Sequence, residues 1–274
     1  MKKVLAVIND EKDIDRVLKS SLNFLDSEGV LEVLYVHESS LFDLPDFFKP
    51  DFLEDEKINQ NKIKKRIKED LTKLGYDKDV AIFVYIDDTK DHIKELVGED
   101  TFVVSAYNEK VTHSLLKDIK NMQLILKKDS LVYKKIALPI DLSKNSHNCL
   151  KKANELFEKN SIRVVYDFRY SPEIFMSDID ISGVGMSDPA IYMELSEDIK
   201  KSKLDEFYKF LSDEMVDGDF ITFEFDIGED LKNYAKEKNI DLFYICRDEK
   251  SELFDNSALK SIIDKSQTDF ILTI

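Results

Sequence analysis

Val4, Leu5, Ala6, Val7 and Ile8 form an unbroken apolar run that ends on the polar trio Asn9, Asp10 and Glu11. Ile14, Val17, Leu18, Leu22 and Leu25 then recur at the spacing of one helix face, so the run predicts a strand and the stretch after it a helix. LEVLYVHE (31–38) is again continuously apolar, the pattern of a strand covered on both faces. Ile63, Ile67, Leu71 and Leu74 predict a long amphipathic helix. VAIFVYID (80–87), FVVSAY (102–107) and MQLILKK (122–128) predict three further strands, with short helices between them.

The same plan then repeats. MKKVLAVINDEKDIDRVLKSSLNFL lies without a gap on YKKIALPIDLSKNSHNCLKKANELF, which sets Val4 on Ile136, Ile8 on Ile140 and Asn9 on Asp141. Leu150, Ala153 and Phe157 mark the helix that follows. IRVVYDFR (162–169), DFITFEFD (219–226), LFYIC (242–246) and DFILTI (269–274) answer the later strands. Ile199, Phe207, Leu211 and Met215 give the long helix its apolar face. Strands alternating with helices imply a parallel sheet covered on both faces, with ligand sites at the carboxyl ends of the strands. Two α/β domains follow, residues 1–130 and 131–274, each with a five-stranded parallel sheet flanked by helices. The short junction and the apolar last strands 124–126 and 270–272 predict that the two pack as an internal pseudo-dimer, and a homodimer of the whole chain is a further assembly to expect.

Charge narrows the choice of partner. Of 274 residues, 56 are acidic and 40 basic, a formal net charge of −16. Phosphate-rich partners are repelled by such a surface, which argues against nucleic acid and against an anionic membrane. No apolar run approaches membrane-spanning length, and the first apolar run is too short for a signal peptide, so a cytoplasmic location is expected. Cys149 and Cys246 give no disulfide framework and no zinc quartet, and each is expected as a free, small core residue.

The opening KKIALPIDLSKNS of the second copy, read with the repeated element order, resembles the universal stress protein family over essentially the whole chain. The resemblance implies a Rossmann-like (adenine nucleotide alpha hydrolase-like) fold with strand order 3-2-1-4-5 and pairing through the last strands. It also implies an adenine site beside the Asp after the first strand, here Asp141. In the family a glycine-rich loop after the fourth strand, Gly-x2-Gly-x9-Gly-Ser/Thr, holds the phosphates. Backbone N–H groups at a helix N-terminus do that work, and side chains at the approach points obstruct it. In this sequence those leading positions are Cys246 and Glu249 in the second copy, and Ser105 and Asn108 in the first. Neither loop has a glycine, and Asp248, Glu249, Glu252 and Asp255 would repel a triphosphate. Asp141, Ser143, Asn256 and Ser257 remain as a residual adenine-nucleotide site, with capping of the neighbouring helices as their structural role.

Other chemistry is thinner. Asn9, Asp10, Glu11, Asp87, Asp88, Lys127 and Lys128 suggest a receiver-type phospho-acceptor site. Asp88 stands only 17 positions before Ser105, too few for a receiver's strand order, and the second copy repeats none of these groups. Gly183 and Gly185 form a lone GxG in a loop, weak evidence of nucleotide binding. His37, His92, His113 and His147 show no spacing to carboxylates that suggests a metal, and no catalytic triad or other catalytic residue is identifiable. The insertions 39–56 and 170–190 are acidic yet aromatic; Phe42, Phe47, Phe48, Phe52, Phe175 and Met176 are candidates for a pocket or partner surface. The sequence thus predicts a non-enzymatic stress-response or regulatory protein that takes no cofactor, with an unidentified protein or small ligand as partner. The alternative is a switch that binds ATP or AMP, or weakly hydrolyses ATP, through the second domain.

Overall fold

The computed structural model describes residues 1–37, 52–86, 89–129, 132–168, 189–222, 226–247 and 256–273. Residues 38–51 and 169–188, with Phe42, Phe47, Phe48, Phe175, Met176 and the GxG glycines, lie outside the described residues, as do Asp87, Asp88 and residues 248–255; Phe52 is the first residue of a helix. The chain divides into two compact units, Met1–Val132 with Asp269–Ile274, and Tyr133–Thr268.

Unit 1 is built on β1 (Lys3–Ile8), β2 (Val30–His37), β3 (Ala81–Ile86), β4 (Thr101–Ala106) and β5 (Gln123–Leu126), all parallel and ordered β3-β2-β1-β4-β5. Helices α1 (Ile14–Phe24), α2 (Phe52–Lys73), α3 (Thr89–Leu96) and α4 (Glu109–Asp118) connect them. The pleat sorts β1 in two. Leu5 and Val7 face a cluster with Val103, Ile93, Val111 and Leu115 that carries α3 and α4. Val4 is paired with Phe102, whose ring meets Phe24 of α1 at 5.4 Å on the opposite face. Val4 through Ile8 are fully buried, which explains why β1 reads as a continuous apolar run rather than an alternating one. Each such side chain contributes roughly 1.5–3 kcal/mol by leaving water.

Unit 2 repeats the plan with β6 (Ile136–Ile140), β7 (Ile162–Phe168), β8 (Asp217–Thr222) and β9 (Leu242–Cys246), ordered β9-β6-β7-β8. Its helices are α5 (Lys144–Leu156), α6 (Pro189–Glu214), α7 (Ile227–Lys238) and α8 (Asn256–Lys265). Tyr166, Phe168, Phe207 and Phe220 form an aromatic layer between α6 and the sheet, with centroids 5.4–6.1 Å apart.

Four expectations change. The second domain was to keep strand 269–274. Instead β10 (Asp269–Thr273) is grouped with unit 1, where it pairs antiparallel with β5, Phe270 opposite Ile125 and Ile271 opposite Leu124. The buried Asp269 supplies the reason: its Oδ1 accepts the backbone N–H groups of Lys127 and Lys128 at 2.6 and 2.7 Å. Met215 leaves the apolar face of α6. It sits past the last turn at φ 51°, 80% exposed, while the Val216 N–H returns to the Leu211 carbonyl, a helix stop usually made by glycine. The strand placed at 219–226 begins at Asp217, and Asp226 caps α7. Cys149 and Cys246, expected as free thiols, form a disulfide. The repeat itself explains it, because β9 lies beside β6 and the helix leaving β6 packs over β9.

Candidate functional sites at the strand ends

In unit 2, β6 delivers Asp141 at its carboxyl end. Asp141 Oδ1 accepts from the Ser143 N–H at 2.9 Å and from the Ser146 hydroxyl at 3.1 Å. These bonds span Leu142, held at φ 60°, a left-handed conformation that costs a side-chain-bearing residue roughly 1–2 kcal/mol. Ser143, not Asp141, is the N-cap of α5, its hydroxyl accepting from the Asn145 N–H. Asp141, Ser143 and Ser146 therefore form one cluster. Asn256 and Ser257 open α8 as exposed residues, and among the described contacts neither joins that cluster.

Around Asp141 the strand end is acidic and aromatic. Tyr166 is 7% exposed, and its phenol is pushed up to about 12, first by burial and then by the charges of Glu206, Asp141 and Asp167. Cys149, one turn beyond Ser146 on α5, is joined to Cys246 where β9 ends. The position that in the resembling family would be the first phosphate-loop glycine is thus covalently tied to α5.

Unit 1 treats the matching positions differently. Asn9 donates its amide to the Val36 carbonyl at 3.2 Å and to the Thr89 hydroxyl at 2.7 Å. A carboxylate could only accept there, so the Asp-to-Asn exchange turns a strand-end acceptor into a stitch between β1, β2 and α3. Asp10 caps the 3-10 turn at Glu11–Asp13, and the hydrogen bond from Lys12 holds its carboxyl below the usual range. Glu11 pairs with Arg66 of α2. Beside that pair a cleft of about 400 Å³ is lined by Tyr35, His37, Ile63, Val84 and Tyr85, with Tyr85 stacked on His92 at 3.8 Å. The Lys127 ammonium, a cation of the receiver reading, lies 4.0 Å over the Tyr107 ring.

After β4 the unit 1 chain reaches a helix almost at once. The strand ends at Ala106, and Asn108 already caps α4, accepting the Val111 N–H at 3.2 Å while its own N–H donates to Thr112.

Three long-range arrangements escaped the spacing of the sequence. His147 Nδ1 lies 2.5 Å from Glu214, 67 positions away. Arg163, Asp219 and Tyr234 form a chain of hydrogen bonds, Tyr234 donating to Asp219 at 2.8 Å, and Arg163 holds the Asp219 carboxyl below its ordinary range. Asp226 gathers Lys265, the Ser261 hydroxyl and the Gly228 and Glu229 N–H groups, which together lower its carboxyl to about 2. Gly228 permits this approach of α7 to α8, since a Cβ there would stand 2.5 Å from the Ser261 carbonyl oxygen. A fourth pair was within reach of spacing: Glu109 and His113, one turn apart on α4, bring a carboxylate and an imidazole within 4.8 Å.

No family model matches the chain, and no curated protein matches it in sequence. Solved structures do. A universal stress protein from Archaeoglobus fulgidus DSM 4304 superposes with a TM-score of 0.63 at 12% identity, covering 99% of this chain and 95% of that one. The chain has the universal stress protein fold. A protein from Pseudomonas aeruginosa UCBPP-PA14, provisionally described as a universal stress protein, gives 0.58 at 11% identity over 100% and 93% of the two chains. A functionally unknown protein from Pseudomonas aeruginosa PAO1 gives 0.57 at 11% identity over 100% and 92%. In this universal stress protein fold the order β3-β2-β1-β4-β5 of unit 1 is the order expected from the resemblance. Among the described residues no helix is long and apolar enough to cross a membrane.

Proposed function

We propose that this protein is a non-catalytic stress-response module that acts through a partner or small ligand and does not hold ATP in the manner of nucleotide-binding universal stress proteins. The likeness to the Archaeoglobus fulgidus protein supports the stress role. The observation that carries the nucleotide part is the connection from β4 to α4. Phosphate binding needs a run of unspent N–H groups before a helix. Here Asn108 follows the strand by two positions, and its side chain consumes the Val111 N–H. In unit 2 the corresponding strand exit is Cys246, engaged with Cys149.

The cytoplasm is our proposed location, on the strength of the acidic composition. In that reducing compartment the Cys149–Cys246 bond would be transient and redox-responsive rather than permanent.

A second reading has one specific observation in its favour: Asp141 remains a carboxylate at the end of β6, where Asn9 has replaced it in unit 1. Under that reading unit 2 is an adenine-nucleotide switch, with Asp141, Ser143, Asn256 and Ser257 around ATP or AMP. Calorimetric titration with ATP and AMP, under oxidising and reducing conditions, separates the two. The expected result is no binding at millimolar nucleotide and no ATP hydrolysis. Binding that disappears in Asp141→Ala would replace the first reading with the second.

A further inference from the structure

The outer edge of unit 1 is unusual for an open sheet edge. Among the described residues β3 pairs with β2 alone, leaving one row of backbone N–H and C=O groups unpaired by sheet partners. Open edges are normally blunted by charge, proline or bulges on the strand itself. β3 reads Ala-Ile-Phe-Val-Tyr-Ile and carries none of these residues. The corresponding strand of unit 2, β8, reads Asp-Gly-Asp-Phe-Ile-Thr, with Asp219 bound by Arg163. Among the described residues, the edge strand of unit 2 carries blunting charge and that of unit 1 carries none.

Beside the unprotected edge lies the most basic stretch of the chain. Between residues 59 and 73, α2 has six Lys or Arg against two acidic residues, in a protein of net charge −16. Ile67 and Leu71 are buried against the sheet. Lys64 and Lys68, one turn apart, line a groove of about 880 Å³ whose other wall is Val80 and Ile82 at β3. Neither lysine has a carboxylate partner among the described residues, whereas the nearby Lys65 and Lys73 pair with Glu69 and Asp70.

We propose that this groove docks an extended acidic peptide of a partner protein, which adds to β3 as a further strand and lays its carboxylates on Lys64 and Lys68. The spacings agree: residues i and i+2 on one face of a strand are ~6.6 Å apart, and residues i and i+4 of a helix rise ~6 Å. Backbone pairing to β3 supplies the register, and the lysines select for acidic side chains. Nucleic acid offers phosphates but no strand-forming amides, and the net charge of −16 opposes it. The inference uses unit 1 alone and stands apart from the nucleotide reading of unit 2.

The test is fluorescence anisotropy with a labelled peptide that alternates Glu and Val. Comparison probes are the same peptide with alternate amides N-methylated and a labelled single-stranded RNA. The chain is compared with the double variant Lys64→Glu/Lys68→Glu, whose sites are on the helix surface and whose thermal unfolding should be unchanged. The Glu/Val peptide should bind with an affinity that falls as salt rises. Both the double variant and the N-methylated peptide should weaken binding by roughly tenfold or more. Equal binding of the N-methylated peptide would reduce the groove to a patch of charge and overturn strand addition. RNA binding in place of the peptide, unchanged binding to the double variant, or no peptide binding at all would each overturn the proposal.

Discussion

Asp269 and Lys127 stand 142 positions apart in the chain, yet the carboxylate of the first accepts the backbone N–H of the second at 2.6 Å. The same oxygen takes the Lys128 N–H, so one fully buried side chain closes the end of β5 and starts β10 beside it.

Asp269→Ala should therefore loosen β10 selectively. Loss of charge-assisted hydrogen bonds from a buried position costs about 2–3 kcal/mol. Urea unfolding should show a loss of that size, and hydrogen exchange should quicken at Phe270–Leu272 and at Leu124 and Ile125. An unchanged exchange pattern would mean that strand pairing alone holds β10.

Tyr166 predicts a loss of stability in alkali. Its folded pKa is raised to about 12, so the unfolded chain ionises first, near 10. The folded state's advantage is complete below pH 10 and is lost as pH rises toward 12. A shift of two units corresponds to of order 3 kcal/mol. Because lysines titrate in the same range, the readout is the difference in unfolding midpoint between the wild-type chain and Tyr166→Phe, whose stability should decline less across that window.

The disulfide predicts both a thiol count and a stability change. Denatured, unreduced protein should react with no thiol reagent, and reduced protein should expose two thiols. Cys149 and Cys246 are separated by 97 positions, and a loop of about a hundred residues is worth up to ~4.7 kcal/mol in the chain-entropy account, with 2–4 more usual. Reduction, or Cys149→Ser with Cys246→Ser, should lower unfolding free energy within that range. Thiols that stay free in the native protein after mild oxidation would remove the bond from the structure.

Much of this fold was legible because it is written in continuous apolar runs. Val4–Ile8 and Leu242–Ile245 are buried on both faces of their sheets, so nothing in their pattern competes with a strand reading. The partner of β5 was also readable, since 124–126 and 270–272 are matched apolar segments, while the assignment of β10 to unit 1 was not. That assignment follows from Asp269, one acidic residue whose burial has no signature in spacing. Met215 misled because hydrophobicity at helical spacing continues one step beyond the helix, onto the residue where the backbone turns left-handed. At the candidate sites, the place of Asp141 directly after β6 was legible, and the missing glycines were plain. Cys149 with Cys246, His147 with Glu214, and Arg163 with Asp219 were hidden for a common reason. Each joins side chains from different elements, at separations where sequence records identity but not proximity.

The position of β10 also has a consequence in time. A chain leaving the ribosome at ~5–20 residues per second takes roughly seven to thirty seconds to travel from Lys127 to Asp269. Throughout that interval Gln123–Leu126 waits with one flank bare, and any neighbouring nascent chain presenting an apolar strand can compete for it. Slowing translation between these two points should lengthen that window, making the yield of correctly folded protein depend on the pace of synthesis as well as on the strength of the finished fold.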